Sequence, residues 1–187
     1  MVMSTISLRR DHELIEKVIK DMQSTIQLLN DKKQIPESIL FPVINFSNFF
    51  TDVCHHTKEE KSLFPALEQA VLPTNMGPIA MMLMDHHRSQ EIGNEMEKSA
   101  KEYLSSGNSK KLITDMQLYV DHITEHLWKE NNKLFMMAEA RLQHVSKKVD
   151  EELHGIEESQ LNKLGKSRQH YEELAENLTY DVSNQGN

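Results

Sequence analysis

HHTKEEKSLFPALE at residues 55–68 and HLWKENNKLFMMAE at residues 126–139 are two versions of one segment. Set side by side without gaps, they agree at His55/His126, Lys58/Lys129, Glu59/Glu130, Leu63/Leu134, Phe64/Phe135 and Glu68/Glu139. Upstream of each lies an Asp-His pair, Asp11-His12 and Asp85-His86. Self-similarity at a fixed offset marks a duplicated supersecondary unit. Here the unit is a helical hairpin whose first helix carries one His and whose second carries His-x-x-x-Glu.

The flanking sequence supports helices of the required length. Ile15, Ile19, Met22 and Ile26 fall on one helical face, predicting a helix from about Ser7 to Asn30. A second runs from about Glu37 to near Ala70, with Pro42 and Pro65 as candidate kinks. After a loop at Pro73-Thr74-Asn75, a third begins near Pro78 and ends near Ser105-Ser106-Gly107, where Gly107 suits a left-handed cap. A fourth spans about Ser109 to Arg141. Long helices with short connections pack as antiparallel neighbours. The expected fold is all-α, an up-down-up-down four-helix bundle over residues 1–143 with a C-terminal helical extension over 144–187. In that extension Val145, Val149, Leu153 and Ile156, then Leu161, Leu164, Tyr171, Leu174 and Leu178, form an amphipathic stripe broken at Gly155 and Gly165. Glu157 to Lys166 reads as a solvated face, and Ser183 to Asn187 as a frayed tail.

Composition narrows the function. The 187 residues hold only 6 Gly and 5 Pro, too few breakers for a turn-rich β fold. A net charge of −8 argues against nucleic acid or an anionic membrane as partner. The single Cys excludes an internal disulfide and a Cys₄ site. Residues 1–10 lack the apolar core of a signal peptide, and no run is apolar enough to span a bilayer, so the expected location is cytoplasmic.

Residues i and i+4 share a helix face, so His55 with Glu59 and His126 with Glu130 each present a nitrogen and a carboxylate to one layer. With His12 and His86 the set is four His and two Glu. Six donors exceed one tetrahedral zinc but suit two ions, each held by two His, with Glu59 and Glu130 bridging. Donors of these types suit iron, zinc, copper or nickel alike. A lone His is more often a hydrogen-bonded residue than a ligand. A matched set with two inward acids is different, because unpaired buried charge costs several kcal/mol. Register is read from the repeat. Leu127 and Asn131 stand where His56 and Glu60 do, so His56 and Glu60 are expected to face outward. His122 reads as a hydrogen-bonded His or an added ligand, and Gln90, one turn past His86, as a place for an open coordination position. Cys54 reads as a packed thiol, and Met81, Met82, Met84, Met136 and Met137 as core filler.

His55 to Pro65 (His-x-x-x-Glu-Glu-x-x-Leu-Phe-Pro) and His126 to Phe135 (His-x-x-Lys-Glu-Asn-x-x-Leu-Phe) resemble the signatures of the hemerythrin-like, or HHE cation-binding, family, over about residues 8–141. The resemblance implies a non-haem di-iron centre, two carboxylate-bridged iron ions, that binds or reacts with O₂, NO or peroxide. Oxygen-carrying members use a fifth His on helix three and an Asp on helix four; here Gln90 and Glu130 stand there. The four-His, two-Glu set is similar to that of bacterial proteins implicated in repairing iron–sulfur clusters, which implies a role in oxidative or nitrosative stress. The alternative is a redox or metal sensor signalling through its C-terminal helices, with a second copy or protein partner docking through 145–178. Neither reading decides between carrier, sensor and enzyme.

Overall fold

The computed structural model describes residues 5–70 and 76–185, and every regular element among them is helical. α1 spans Ile6–Asn30. α2 is a continuous rod through Glu37–Asn45, Phe46–His56, Glu59–Leu63 and Phe64–Gln69. α3 spans Pro78–Ser106, and α4 runs through Lys110–Lys129, Glu130–Leu134 and Phe135–Arg141. α5 (Ser146–Lys163) and α6 (Arg168–Gln185) follow. The helix ends agree with the sequence reading to within a few residues, and the Pro73–Asn75 loop lies outside the described residues. Two local details differ. Gly155 sits inside α5, and only Gly165, at φ 63°, separates α5 from α6. Ser183–Gln185 continue α6 rather than fray, while Gly186 and Asn187 lie outside the described residues.

Local chemistry explains the boundaries. Pro78 occupies the first turn of α3, where no backbone donor is needed. Gly107 closes that helix at φ 73°, its N–H donating to the Tyr103 carbonyl at 2.8 Å. Within α2 and α4, three segments are wound in the wider i→i+5 pattern: Phe46–His56, Glu59–Leu63 and Glu130–Leu134. The last two are the same five positions of the two repeats. Pro65 follows the first and Met136 stands at the equivalent place after the second, so proline does not cause the wide turn. Such turns concentrate at functional sites.

α3 lies along α4, α1 packs on α4 and α6, and α2 packs on α3, α5 and α6. The apolar residues form two clusters. The larger holds Ile15, Ile19, Met22, Phe46, Phe50, Ile92, Met96, Tyr119 and Ile123; the smaller holds Leu8, Leu63, Phe64, Ile79, Met82, Leu134 and Phe135. Along α1 and α3 the chain passes from the smaller cluster to the larger, and along α2 and α4 it returns. Each crossing contains one of the repeated His motifs. The terminal helices complete both clusters, with Val149 and Leu153 in the smaller, and Leu161, Tyr171, Leu178 and Val182 in the larger. Of the methionines expected in the core, Met81, Met84 and Met136 are exposed and only Met82 is fully buried. Among the described residues, no helix is long and apolar enough to cross a membrane.

α2 and α3 meet closely at Gly93, where an added Cβ would lie 2.3 Å from Asn48 Oδ1. Asn48 is half-buried and its amide can swing aside. Gly93→Ala is therefore expected to stay within about 1 kcal/mol of neutral, because the gain in helix propensity is of similar size. Gly93→Val is expected to cost about 1–3 kcal/mol by overpacking. Thermal melts of the two variants test this ordering.

Candidate metal centre

The six predicted donors meet in one layer between the two apolar clusters. His12 comes from α1, His55 and Glu59 from α2, His86 from α3, and His126 and Glu130 from α4. All are at most 2% exposed. Donor atoms of His12, His55, Glu59 and Glu130 lie within 4.8 Å of one another, and so do those of Glu59, His86, His126 and Glu130.

Glu130 faces both histidine pairs at once. Its Oε2 is 3.2 Å from His12 Nε2 and 4.0 Å from His55 Nε2, while its Oε1 is 3.4 Å from His126 Nε2 and 3.9 Å from His86 Nε2. Glu59 Oε2 sits 3.8 Å from His55 Nε2 and 3.4 Å from His86 Nε2. Donors that share one ion at about 2.0–2.2 Å are themselves spaced on this scale.

Three of the four histidines are hydrogen-bonded through their other nitrogen. His12 Nδ1 donates to Asn131 Oδ1 (3.1 Å), His55 Nδ1 to Asp11 Oδ2 (3.2 Å) and His86 Nδ1 to Glu60 Oε1 (2.8 Å). Asp85 Oδ2 stands 3.6 Å from His126 Nδ1, an ion-pair distance. With Nδ1 carrying the proton, each Nε2 offers a lone pair inward, the arrangement typical of metal-bound imidazoles. The pattern is two-fold. Asp11 and Asp85 hold the α2 and α4 histidines, while Glu60 and Asn131, at equivalent repeat positions, reach across to the other half. Phe64 stacks on His86 and Phe135 on His12, with centroids 5.6 and 5.0 Å apart.

The layer lacks donors of its own. His12 Nε2 and His55 Nε2 face each other at 3.1 Å, and none of the four oxygens of Glu59 and Glu130 has a hydrogen-bond partner. His86 Nε2 and His126 Nε2 are likewise unpartnered. Converging lone pairs and buried carboxylates demand cations. The electrostatics say the same. Burial would push the Glu130 carboxyl up, but the neighbouring imidazoles, His126 foremost and then His12 and His86, hold it well below its ordinary value. Burial opposes protonation of His86, and Glu130, Glu59 and Glu60 outweigh it, raising its pKa well above normal. The same competition, with Glu130 foremost, raises His12.

The family model of the hemerythrin HHE cation binding domain matches residues 5–138. The chain belongs to that family. Comparison with curated proteins and with solved structures gives no match. The hemerythrin-like match ends before α5, so α5 and α6 lie beyond the part of the chain that carries it. The His/Glu clusters are compatible with the cation binding for which the family is described.

Several expectations for this hemerythrin-like centre are corrected. His56 is buried, not outward, and its ring stacks on His86 with centroids 3.9 Å apart. Its counterpart Leu127 is also buried, so the repeat position is an inward one, filled once by an apolar side chain and once by an imidazole. His56, His86 and His126 form a third close group, and neither His56 ring nitrogen has a hydrogen-bond partner. Burial, then the charges of His86, His126 and His55, push its pKa well below normal. Glu60 has an exposed carboxylate that nevertheless anchors His86. Gln90 is exposed and offers nothing to the centre; Ser89 points inward instead, donating to Asp52 Oδ1 at 2.6 Å. Burial raises the Asp52 carboxyl to about 7. His122 donates from Nε2 to the Asp85 carbonyl at 2.8 Å, the hydrogen-bonded role. Cys54 is a buried free thiol, pushed by burial up to about 12.

Glu157 is the largest departure. Expected on a solvated face, it instead pairs with Lys58, a fully buried lysine. The Asp-His doublets carried the signal for the orienting aspartates; the repeat marked Lys58 and Lys129 as a matched pair, but nothing in it set the buried Lys58 apart from a surface lysine.

Proposed function

We propose that this chain is a non-haem di-iron protein that binds or reacts with a small oxidant, O₂, NO or peroxide. The observation that carries the reading is the Glu130 carboxylate, one oxygen turned to each histidine pair. His12 and His55 would hold one ion, His86 and His126 the other, with Glu59 and Glu130 between them. The alternating order of the apolar clusters along α1 to α4 supports an up-down-up-down bundle as the scaffold. Irons so held would supply electrons to a diatomic or peroxide ligand. The protein's part is to fix the imidazoles through Asp11, Asn131, Glu60 and Asp85, and to exclude water with Phe64, Phe135 and the flanking clusters. The proposal sets the protein in the cytoplasm, where a lone thiol such as Cys54 stays reduced, and in the response to oxidative or nitrosative stress.

Loading with Fe(II) under argon is expected to give about two irons per chain, with charge-transfer absorption on admitting air. One iron per chain or none overturns the reading.

One observation favours the sensor alternative. α5 and α6 reach the centre through Glu157 and Arg168, so a change in the layer is felt there. Their apolar stripe faces the chain's own core, so a partner or second copy would dock on the outer faces of residues 145–178.

A further inference from the structure

The two halves of the centre are built alike but enclosed differently. In the first half, Asp11 (1% exposed) accepts from His55 and from Lys58 Nζ at 2.7 Å. Lys58 Nζ also reaches Ser7 Oγ at 2.9 Å and Glu157 Oε2 at 2.5 Å. Arg168 donates from Nη1 to Asp11 Oδ1 at 2.6 Å and to Glu157 Oε2 at 3.2 Å. Two anions and two cations thus close on each other, Asp11 and Lys58 fully buried and Glu157 and Arg168 11% and 15% exposed at the outer side. Burial would raise the Asp11 carboxyl, but His55, Lys58 and Arg168 hold it far below its ordinary range.

In the second half Asp85 and Lys129 occupy the places of Asp11 and Lys58. Lys129 Nζ lies 3.2 Å from Asp85 Oδ2 and 2.9 Å from Glu125, itself 69% exposed. Asp85 and Lys129 keep 17% and 20% of their side-chain surface in solvent, where Asp11 and Lys58 keep 1% and none. Asp85 Oδ2 stands 3.6 Å from His126 Nδ1, which has no hydrogen-bond partner, whereas His55 Nδ1 bonds Asp11 Oδ2 at 3.2 Å.

We propose that Glu157 and Arg168, from the helices beyond the family domain, act as positioning residues that lock His55 through Asp11, making the His12/His55 metal position the retained one and the His86/His126 position the exchangeable one. This rests on the two-metal reading above. Orienting partners of metal-bound histidines typically change affinity by about 10–100-fold when removed. A partner sealed in a buried ion network reorganises less readily than one shared with water.

The test uses the full chain loaded with Fe(II) under argon and challenged with excess Fe(II) chelator, release being followed by absorbance. Wild type is expected to lose one equivalent quickly and the other at least tenfold more slowly. Arg168→Met and the near-isosteric Glu157→Gln are expected to accelerate only the slow phase tenfold or more, with Arg168→Lys partly restoring it. Asp85→Asn is expected to accelerate only the fast phase. A network that merely stabilised the fold would lower the melting temperature and leave the two phases as they were. Release of two equivalents in a single phase overturns the lock while leaving the two-metal reading intact, as does an unchanged slow phase in a folded Glu157→Gln. Failure of wild type to take up two irons defeats the reading beneath it.

Discussion

Glu130→Gln is expected to reduce bound metal from about two ions per chain to one or none and to abolish the air-induced absorption. The variant keeps the shape of the side chain and removes its charge, so the apolar clusters around it should pack as before. What it removes is a carboxylate whose two oxygens face different histidine pairs. Both positions lose an anionic donor at once, and the remaining carboxylate, Glu59, would have to neutralise two cations. The loss in affinity should exceed the ~10–100-fold typical of removing a ligand's hydrogen-bond partner. Glu60→Gln provides the contrast. Among the described residues it bonds only His86 Nδ1, at 2.8 Å, and its loss should weaken one ion while leaving the stoichiometry at two. Metal analysis after desalting reads both variants. Retention of two ions by Glu130→Gln would show that this carboxylate does not bridge.

Ending the chain at Leu142 is expected to abolish cooperative folding, although everything matched by the family model is retained. The cut strips Val149, Leu153, Leu161, Leu178 and Val182 from the two clusters. Burial of such side chains contributes about 1.5–3 kcal/mol each, and a whole domain is stable by only about 5–15 kcal/mol. The cut also leaves Lys58 and Asp11 without Glu157 and Arg168, and breaking a buried ion pair costs about 3–5 kcal/mol. Circular dichroism should show reduced helicity and a broad melt in the shortened chain. A sharp transition near that of the full chain would mean that residues 1–142 are a self-sufficient unit. Added Fe(II) should recover part of the structure, since a ligand binding only the folded state stabilises it, by roughly 4 kcal/mol at a thousand times its dissociation constant.

Helices and donors were legible because each rests on a local rule. Apolar spacing places α1 to α4, and the i,i+4 geometry of His55/Glu59 and His126/Glu130 needs only one helix to bring donors together. The repeat then supplied the pairing between helices. The outward assignment of His56 failed because the inward stripe of a helix packed on several sides is wide, so the residue beside a ligand also faces in. Leu127, as an apolar residue, was the available hint. Glu60 and Asn131 lie at the edge of that stripe, exposed enough to look like surface and close enough to reach a ring nitrogen. Lys58 and Glu157 are a long-range pair from α2 and α5. Lysine and glutamate are surface residues by default, and only the closing of α5 over α2 reverses this. The exposed Met81, Met84 and Met136 make the converse point, that residue type alone does not assign a side chain to the core.

The crossed bracing of the two halves, Glu60 and Phe64 serving His86 while Asn131 and Phe135 serve His12, bears on ancestry. A lone hairpin lacks the far-side braces for its own first histidine, yet paired with a second copy of itself it meets every one of these requirements. The centre is therefore reachable from a symmetric assembly of short chains. The two halves of this chain differ at His56 and Leu127, at Glu60 and Asn131, and at Lys58, fully buried, and Lys129, 20% exposed.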